Sequence, residues 1–212
     1  MSSSFFLSSV EDVVTGLAMG EMCIVIDSAD RENEGDLLIA ASFITPDSMN
    51  FLTKYARGIV CVTVVEADIL RLGLVLSPKK NSIEHTANFA LSVDAVEKHG
   101  VTTGVSCRDR VQTIKTMLDK NSTPSDLMSP GHMFPLVAKL GGVLERPGHT
   151  EASIELMEMA GLPKMAVICE VMADNGEMMR TDGLISFAKS YNIKIVSIDE
   201  IVKYKKRLKM IG

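Results

Sequence analysis

The sequence predicts an α+β fold, a layered sandwich of helices around a mixed β-sheet, built as a single domain over residues 1–212. Three observations predict it. A chain of 212 residues is long enough for one domain to bury a full core without disulfides or a structural metal. Short apolar runs of strand-forming types ("MCIVID", "IVCVTVV", "MAVICEVM", "KIVSI") interleave irregularly with segments of helical period. The stretch "EVMADNGEMM" turns on Asn175 and Gly176 and reads as a hairpin, so the sheet should be mixed instead of purely parallel.

The elements follow in order. Ser8 with Glu11 forms a capping box before "VVTGLA", which predicts a helix over residues 10–19 that stops at Gly20. "MCIVID" is a strand, "DRENEGD" a loop and "DLLIAA" a second strand. Thr45 and Pro46 are an N-cap and first turn, for a helix ending near Gly58. "IVCVTVV" reads as a buried strand and "LSPKKNSIEHTAN" as a surface loop able to serve as a lid. "FALSVDA" reads as one strand. Ser106 and Asp109 cap a helix whose face is Val111, Ile114 and Leu118. Strands around "PLVAK" and "MAVICEVM", a helix at "LISFAKSY", a strand "KIVSI" and an amphipathic terminal helix complete the chain. No GxGxxG or GxxxxGK[ST] pattern occurs, which removes the strongest dinucleotide and P-loop signals.

Composition narrows the function. A formal charge of -5 argues against a nucleic-acid partner; the basic tail "KYKKRLK" suits a helix C-terminus. The N-terminal residues lack a signal-peptide pattern and no run of about 18 apolar residues appears, so a cytoplasmic protein with no membrane partner is expected. Cys23, Cys61, Cys107 and Cys169 show no CxxC spacing and read as reduced thiols, three of them within apolar runs.

"DRENEGD" places four acids in seven positions. A solvated turn explains the residue types, but the flanking strands put the charges where a site can form. Repulsion among Asp30, Glu32, Glu34 and Asp36 is tolerable around a divalent cation, with Gly35 letting the backbone bend. Two of the four histidines, His132 and His149, each follow Pro-Gly, which predicts a tight backbone and a projecting imidazole. A helix over residues 151–160 should end at Gly161 and Pro163, leaving His149 and Thr150 at its N-terminus. That end favours an anion, and Arg146 adds a full charge, so a phosphate is the expected occupant. Glu170 interrupts an apolar run, a position that needs either chemistry or a hydrogen-bonded partner.

Taken together, "DRENEGD", "TTGVS", "PSDL" before "PGHMFPL", "GGVLERPGHTEA" and "CEVM" resemble the 3,4-dihydroxy-2-butanone 4-phosphate synthase family over most of the chain. The resemblance implies a lyase that converts D-ribulose 5-phosphate into L-3,4-dihydroxy-2-butanone 4-phosphate and formate for riboflavin biosynthesis, by way of a metal-stabilised enediolate. It implies Mg²⁺, with Mn²⁺ a possible substitute where an imidazole ligates. On the matching motifs, Glu32 and His149 are the metal ligands, and Arg31, Glu32, Asp36, Arg146, Pro147, Gly148, His149, Thr150 and Glu170 line the substrate. His132 and Glu170 match essential positions. The first general base stays open among Glu34, Asp36, Glu170 and Cys61. A homodimer with active sites near the subunit interface is expected.

Departures from the family pattern are few. Ser129 stands where most relatives have arginine before Pro-Gly-His, and Ala90 and Cys107 replace a commoner Thr and Ala. Some relatives are fused to a cyclohydrolase domain with a cysteine zinc site; the absence of such a cluster here suggests the stand-alone form. The rival expectations are a metal-dependent phosphosugar isomerase or epimerase and a non-catalytic phosphosugar-binding relative.

Overall fold

The computed structural model describes residues 7–78 and 87–211, so most of the expected lid loop lies outside the described residues. The strands are β1 (Cys23–Ile26), β2 (Gly35–Ala40), β3 (Cys61–Val64), β4 (Asn88–Phe89), β5 (Val93–Ala95), β6 (Leu127–Val137), β7 (Ala166–Glu170) and β8 (Lys194–Ser197). They form one sheet in the order β4-β6-β3-β7-β2-β1-β8, with β5 pairing to β6 off that path. The β1/β8 and β3/β6 pairs are parallel and the remaining pairs antiparallel, as a mixed sheet requires.

The helices are α1 (Val10–Ala18), α2 (Pro46–Phe51), α3 (Glu66–Leu72), α4 (Cys107–Leu118), α5 (His149–Met159), α6 (Thr181–Tyr191) and α7 (Ile198–Ile211). Strand side chains alternate between two helical layers. Ile24, Leu37, Val62 and Val167 pack with Met49 of α2, Ile114 of α4 and Leu184 of α6. Val25, Leu38, Cys61 and Ile168 pack on the other face with Val13 of α1, Leu156 of α5 and Ile201 of α7. Burial on both faces is why these strands read as unbroken apolar runs. Among the described residues no helix is long and apolar enough to cross a membrane. Cys23, Cys61 and Cys169 are buried free thiols, and Cys107 is partly buried.

Several local expectations change. The cap of α1 is Ser9, whose hydroxyl accepts from Asp12 N at 3.0 Å, because Ser8 N is committed to the Ile195 carbonyl at 2.7 Å. "FALSVDA" is two strands, since Leu91 N turns away to the Val75 carbonyl at 2.7 Å. The helix begun by Thr45 widens into a π-type turn, Leu52–Ala56, and ends at Arg57 in the left-handed region. The first Pro-Gly-His lies within β6 instead of a turn. The second opens α5 directly, so that helix begins at His149, two residues earlier than expected. Helix α3 was not signalled in the sequence.

A buried polar contact seats α5 on the sheet. Ser153 Oγ lies 2.8 Å from Thr63 Oγ1, which also accepts from Ala166 N at 3.2 Å. Thr63→Val keeps the shape but removes that acceptor, so a urea titration is expected to show a loss of about 1–3 kcal/mol. A wild-type midpoint would mean α5 is held by apolar packing alone.

Candidate active site

The acidic loop is organised by a residue that the sequence reading placed in a strand. Asp27, buried at the end of β1, accepts from Glu34 N at 2.8 Å through Oδ1. Through Oδ2 it accepts from Arg31 Nη1 at 2.8 Å and Glu32 N at 3.0 Å. Arg31 Nη1 also donates to Glu32 Oε2 at 2.8 Å, so one guanidinium relieves the repulsion between two acids. The bend falls on Asn33, at φ 55, and not on Gly35. Gly35 is required for packing: a Cβ there would lie 2.6 Å from Leu184 Cδ1. Asp30 is exposed and has no part in this network of bonds among those described.

Helix α5 brings His149 to the loop. Gly148 is its N-cap, and a Cβ there would lie 2.2 Å from Arg146 Nη1. The His149 ring is buried, its Nδ1 is 3.8 Å from Glu32 Oε2, and its Nε2 has no hydrogen-bond partner among the described residues. Burial, with help from Arg31, pulls its pKa below the usual imidazole value, against the raising effect of Asp27, Glu32 and Glu34. A neutral ring is the ligating form. Ligand atoms of Asp27, Glu32 and His149 lie within 4.8 Å of one another. Magnesium ligands sit at about 2.1 Å, so neighbouring donors are about 3 Å apart and opposite ones about 4.2 Å; the Glu32 to His149 separation of 3.8 Å lies between, within a small side-chain adjustment of either. The residues fit a divalent ion. Asp27 has both oxygens engaged by N–H donors, which makes it the brace and half-exposed Glu32 the available carboxylate.

Asp36 of β2 and Glu170 of β7 are direct cross-strand partners. Burial, then the charges of Glu170, Glu32, Glu34 and Asp27, hold the Asp36 carboxyl well above the usual carboxylate range. Glu34 is also raised, by burial first and Glu32 next. Glu170 is half-buried; its Oε2 accepts from Ile59 N at 2.8 Å, and Gly58 N donates to its carbonyl at 3.2 Å. That approach needs glycine, because a Cβ on Gly58 would lie 2.4 Å from the Glu170 carbonyl oxygen. Cys61 joins the same face, but burial, with Glu170 and Asp36, pushes its thiol far above its ordinary value. A thiol kept protonated offers no base near neutral pH.

His132 stands apart, on β6 beyond β3. Its Nδ1 is 2.6 Å from Asp94 Oδ2, and its backbone N donates to Asp94 Oδ1 at 2.9 Å. Asp94 was missed in the sequence, although an acid inside "FALSVDA" was the available signal. Gly104, at φ 83, packs on this pair, where a Cβ would lie 1.9 Å from Asp94 Oδ2. Ser129, in the place of the usual arginine, donates its hydroxyl to the Ser92 carbonyl at 2.8 Å. At the start of α5, Thr150 is buried and Arg146 Nη1 pairs with buried Glu151 at 2.6 Å. A cavity of about 850 Å³ between α2, α6 and β8 opens on the other face of the sheet and contains none of these groups.

The family model of 3,4-dihydroxy-2-butanone 4-phosphate synthase matches residues 11–204. The riboflavin biosynthesis protein RibBA of Aquifex aeolicus is 45% identical over 203 residues, covering 96% of this chain and 50% of its own length. The 3,4-dihydroxy-2-butanone 4-phosphate synthase of Neisseria meningitidis serogroup A is 43% identical over 201 residues, covering 95% of this chain and 55% of its own. The chain thus spans about half the length of these curated relatives. The crystal structure of a two-domain synthase from A. baumannii matches with a TM-score of 0.89 at 40% identity, over 93% of this chain and 58% of that one. A synthase crystallised in complex with two magnesium ions matches at 0.89 and 31% identity, over 96% and 99% of the two chains.

The Arg146 pair has a stability consequence. Arg146→Ala strands the Glu151 carboxylate in the interior, so chemical denaturation should show a loss of about 3–5 kcal/mol. An unchanged midpoint would show that the donor left to Glu151, Lys139 N at 3.0 Å, is enough to hold its carboxylate.

Proposed function

The chain belongs to the 3,4-dihydroxy-2-butanone 4-phosphate synthase family, and from that premise we propose that it converts D-ribulose 5-phosphate into L-3,4-dihydroxy-2-butanone 4-phosphate and formate. The observation that carries the reading is the meeting, on one face of the sheet end, of the Glu32 and His149 pair with the cross-strand carboxyls of Asp36 and Glu170. Glu32 and His149 would hold Mg²⁺, or Mn²⁺ in its place, and the ion would supply charge stabilisation to oxygens that become negative when a proton is removed beside a carbonyl. A relative's structure in complex with two magnesium ions supports that choice.

The protein's own groups divide the proton work. Asp36, its carboxyl held above the usual range by burial and its acidic neighbours, is the better placed of the two to donate, while Glu170, fixed by Ile59 N at the half-open strand end, is suited to accept. Two carboxyls in contrasting settings serve a reaction with several proton transfers better than one nucleophile would. Arg31 keeps Glu32 aimed, and the phosphate would lie at the first turn of α5, near Arg146, Pro147, Gly148 and Thr150. The charge of Arg146 is balanced by Glu151, so the helix N–H groups would carry much of that grip.

Homodimer formation is supported by the surface around His132. Exposed Met128 pairs with Asp94 across β5 and β6, exposed Val105 follows Gly104, which packs on the Asp94 and His132 pair, and exposed Ile59 adjoins Glu170. A second copy over this edge would shelter them and place His132 at an interface. Free buried thiols fit a cytoplasmic, reducing setting.

Incubation with ribulose 5-phosphate and Mg²⁺, followed by carbon NMR, is expected to give a methyl ketone phosphate and formate, and excess chelator should stop turnover. An aldose or epimeric ketose phosphate without formate would favour the isomerase reading, and binding without turnover the non-catalytic one. Glu170→Gln and His132→Ala are expected to lower kcat about 10²–10⁴-fold with KM little changed. Losses below tenfold would assign both residues to structure.

A further inference from the structure

Residues 171–180 join β7 to α6 as a hairpin-like excursion. Met172 and Met178 bridge antiparallel, Ala173 N donates to the Glu177 carbonyl at 2.8 Å, and Met179 N to the Val171 carbonyl at 2.9 Å. The base is fastened by Arg57, which bridges to Val171 and donates Nη1 to the Ala173 carbonyl at 3.0 Å. At the far end, Arg180 crosses to the acidic loop. Its Nη1 donates to two successive carbonyls, Glu32 at 2.9 Å and Asn33 at 2.8 Å. Thr181 Oγ1 adds a contact of 3.4 Å to Asn33 Oδ1. The clamp therefore grips the loop where it passes through the left-handed conformation, a point that costs backbone energy and needs outside support.

We propose that Arg180 is a positioning residue for Glu32, fixing the peptide that carries this carboxylate to the same hairpin whose other end carries Glu170. The proposal rests on the reading of Glu32 as a metal ligand. Charge offers the competing account. Arg180 is 3.8 Å from Glu34 Oε1 with a side chain 53% exposed, a weak and screened pair. The two accounts differ in sign. Removing a cation beside a cluster of acids strengthens the attraction of a divalent ion to the site. Releasing the clamped backbone weakens it, because the ligand must then be ordered when the ion binds. With the guanidinium half in water, loss of the clamp should dominate.

Calorimetric titration of Mn²⁺ into the wild type, Arg180→Met, Arg180→Lys and Glu32→Gln proteins tests this, together with amide hydrogen exchange over residues 31–34. Arg180→Met is expected to bind Mn²⁺ roughly 10-fold more weakly, within the 10–100-fold range for groups that hold a ligand in place. Arg180→Lys should bind nearly as the wild type does, since an ammonium can donate to both carbonyls. Exchange at residues 31–34 should quicken in the methionine variant and not in the lysine variant. Equal or tighter Mn²⁺ binding in Arg180→Met overturns the proposal. If Glu32→Gln binds Mn²⁺ as the wild type does, the ligand reading fails instead, and unchanged exchange in Arg180→Met would then overturn the clamp independently.

Discussion

The carboxylate of Asp27 takes three N–H donors from the loop that follows it, and the geometry of the acidic site depends on those bonds. Without them the loop would be a short run of mutually repelling acids between two strands. With them, the backbone of Glu32 and Glu34 is folded back on β1, and Arg31 is drawn in between two carboxylates. A charged acceptor bonded to several donors is among the stronger polar arrangements available, and Asp27 is shielded enough from water for it to count. The loop thus presents Glu32 toward His149, with Arg31 holding its carboxylate.

The sheet supplies the rest by register. Asp36 faces Glu170 because β2 and β7 are antiparallel neighbours, and Glu170 meets Ile59 because β3 lies on the other side of β7. Helix α5 seats on the same face through Ser153 and Thr63, which sets the height of His149 over the strand ends. The resulting crowd of acids is costly to assemble in the absence of a cation. The upward shifts at Asp36 and Glu34 register that cost, each with burial as its main cause and neighbouring carboxylates next.

Much of this was legible in the sequence because strands buried on both faces announce themselves as apolar runs, and because caps such as Thr45 and Ser106 act locally. Most of the failures turn on partners distant along the chain, and Asp27 on the path of one short loop. Ser8 and Ser9 each precede an acid by three residues, and the bond from Ser8 N to the Ile195 carbonyl, far along the chain, favours Ser9. Asp94 finds His132 38 residues away, so the acid inside an apolar strand shows locally but its partner does not. Asp27 looked like the last residue of a strand because its donors lie in a loop whose return path the sequence does not display. Gly35 was read as a hinge, whereas the space it leaves is filled by Leu184. Glu32, Asp36, His149 and Glu170 were legible as a group through their motifs, and the fold gathers them; His132 was included in that group but lies on the other side of β3.

The central claim is that Glu32 and His149 form a divalent-ion site braced by Asp27. Electron spin-echo envelope modulation of the Mn²⁺-loaded protein tests it most directly, because it detects nitrogen bonded to the ion. The account predicts modulation from one directly bound imidazole in the wild type, lost in His149→Gln while that variant stays folded. A wild-type spectrum without nitrogen coupling, or one unchanged by His149→Gln, would contradict it.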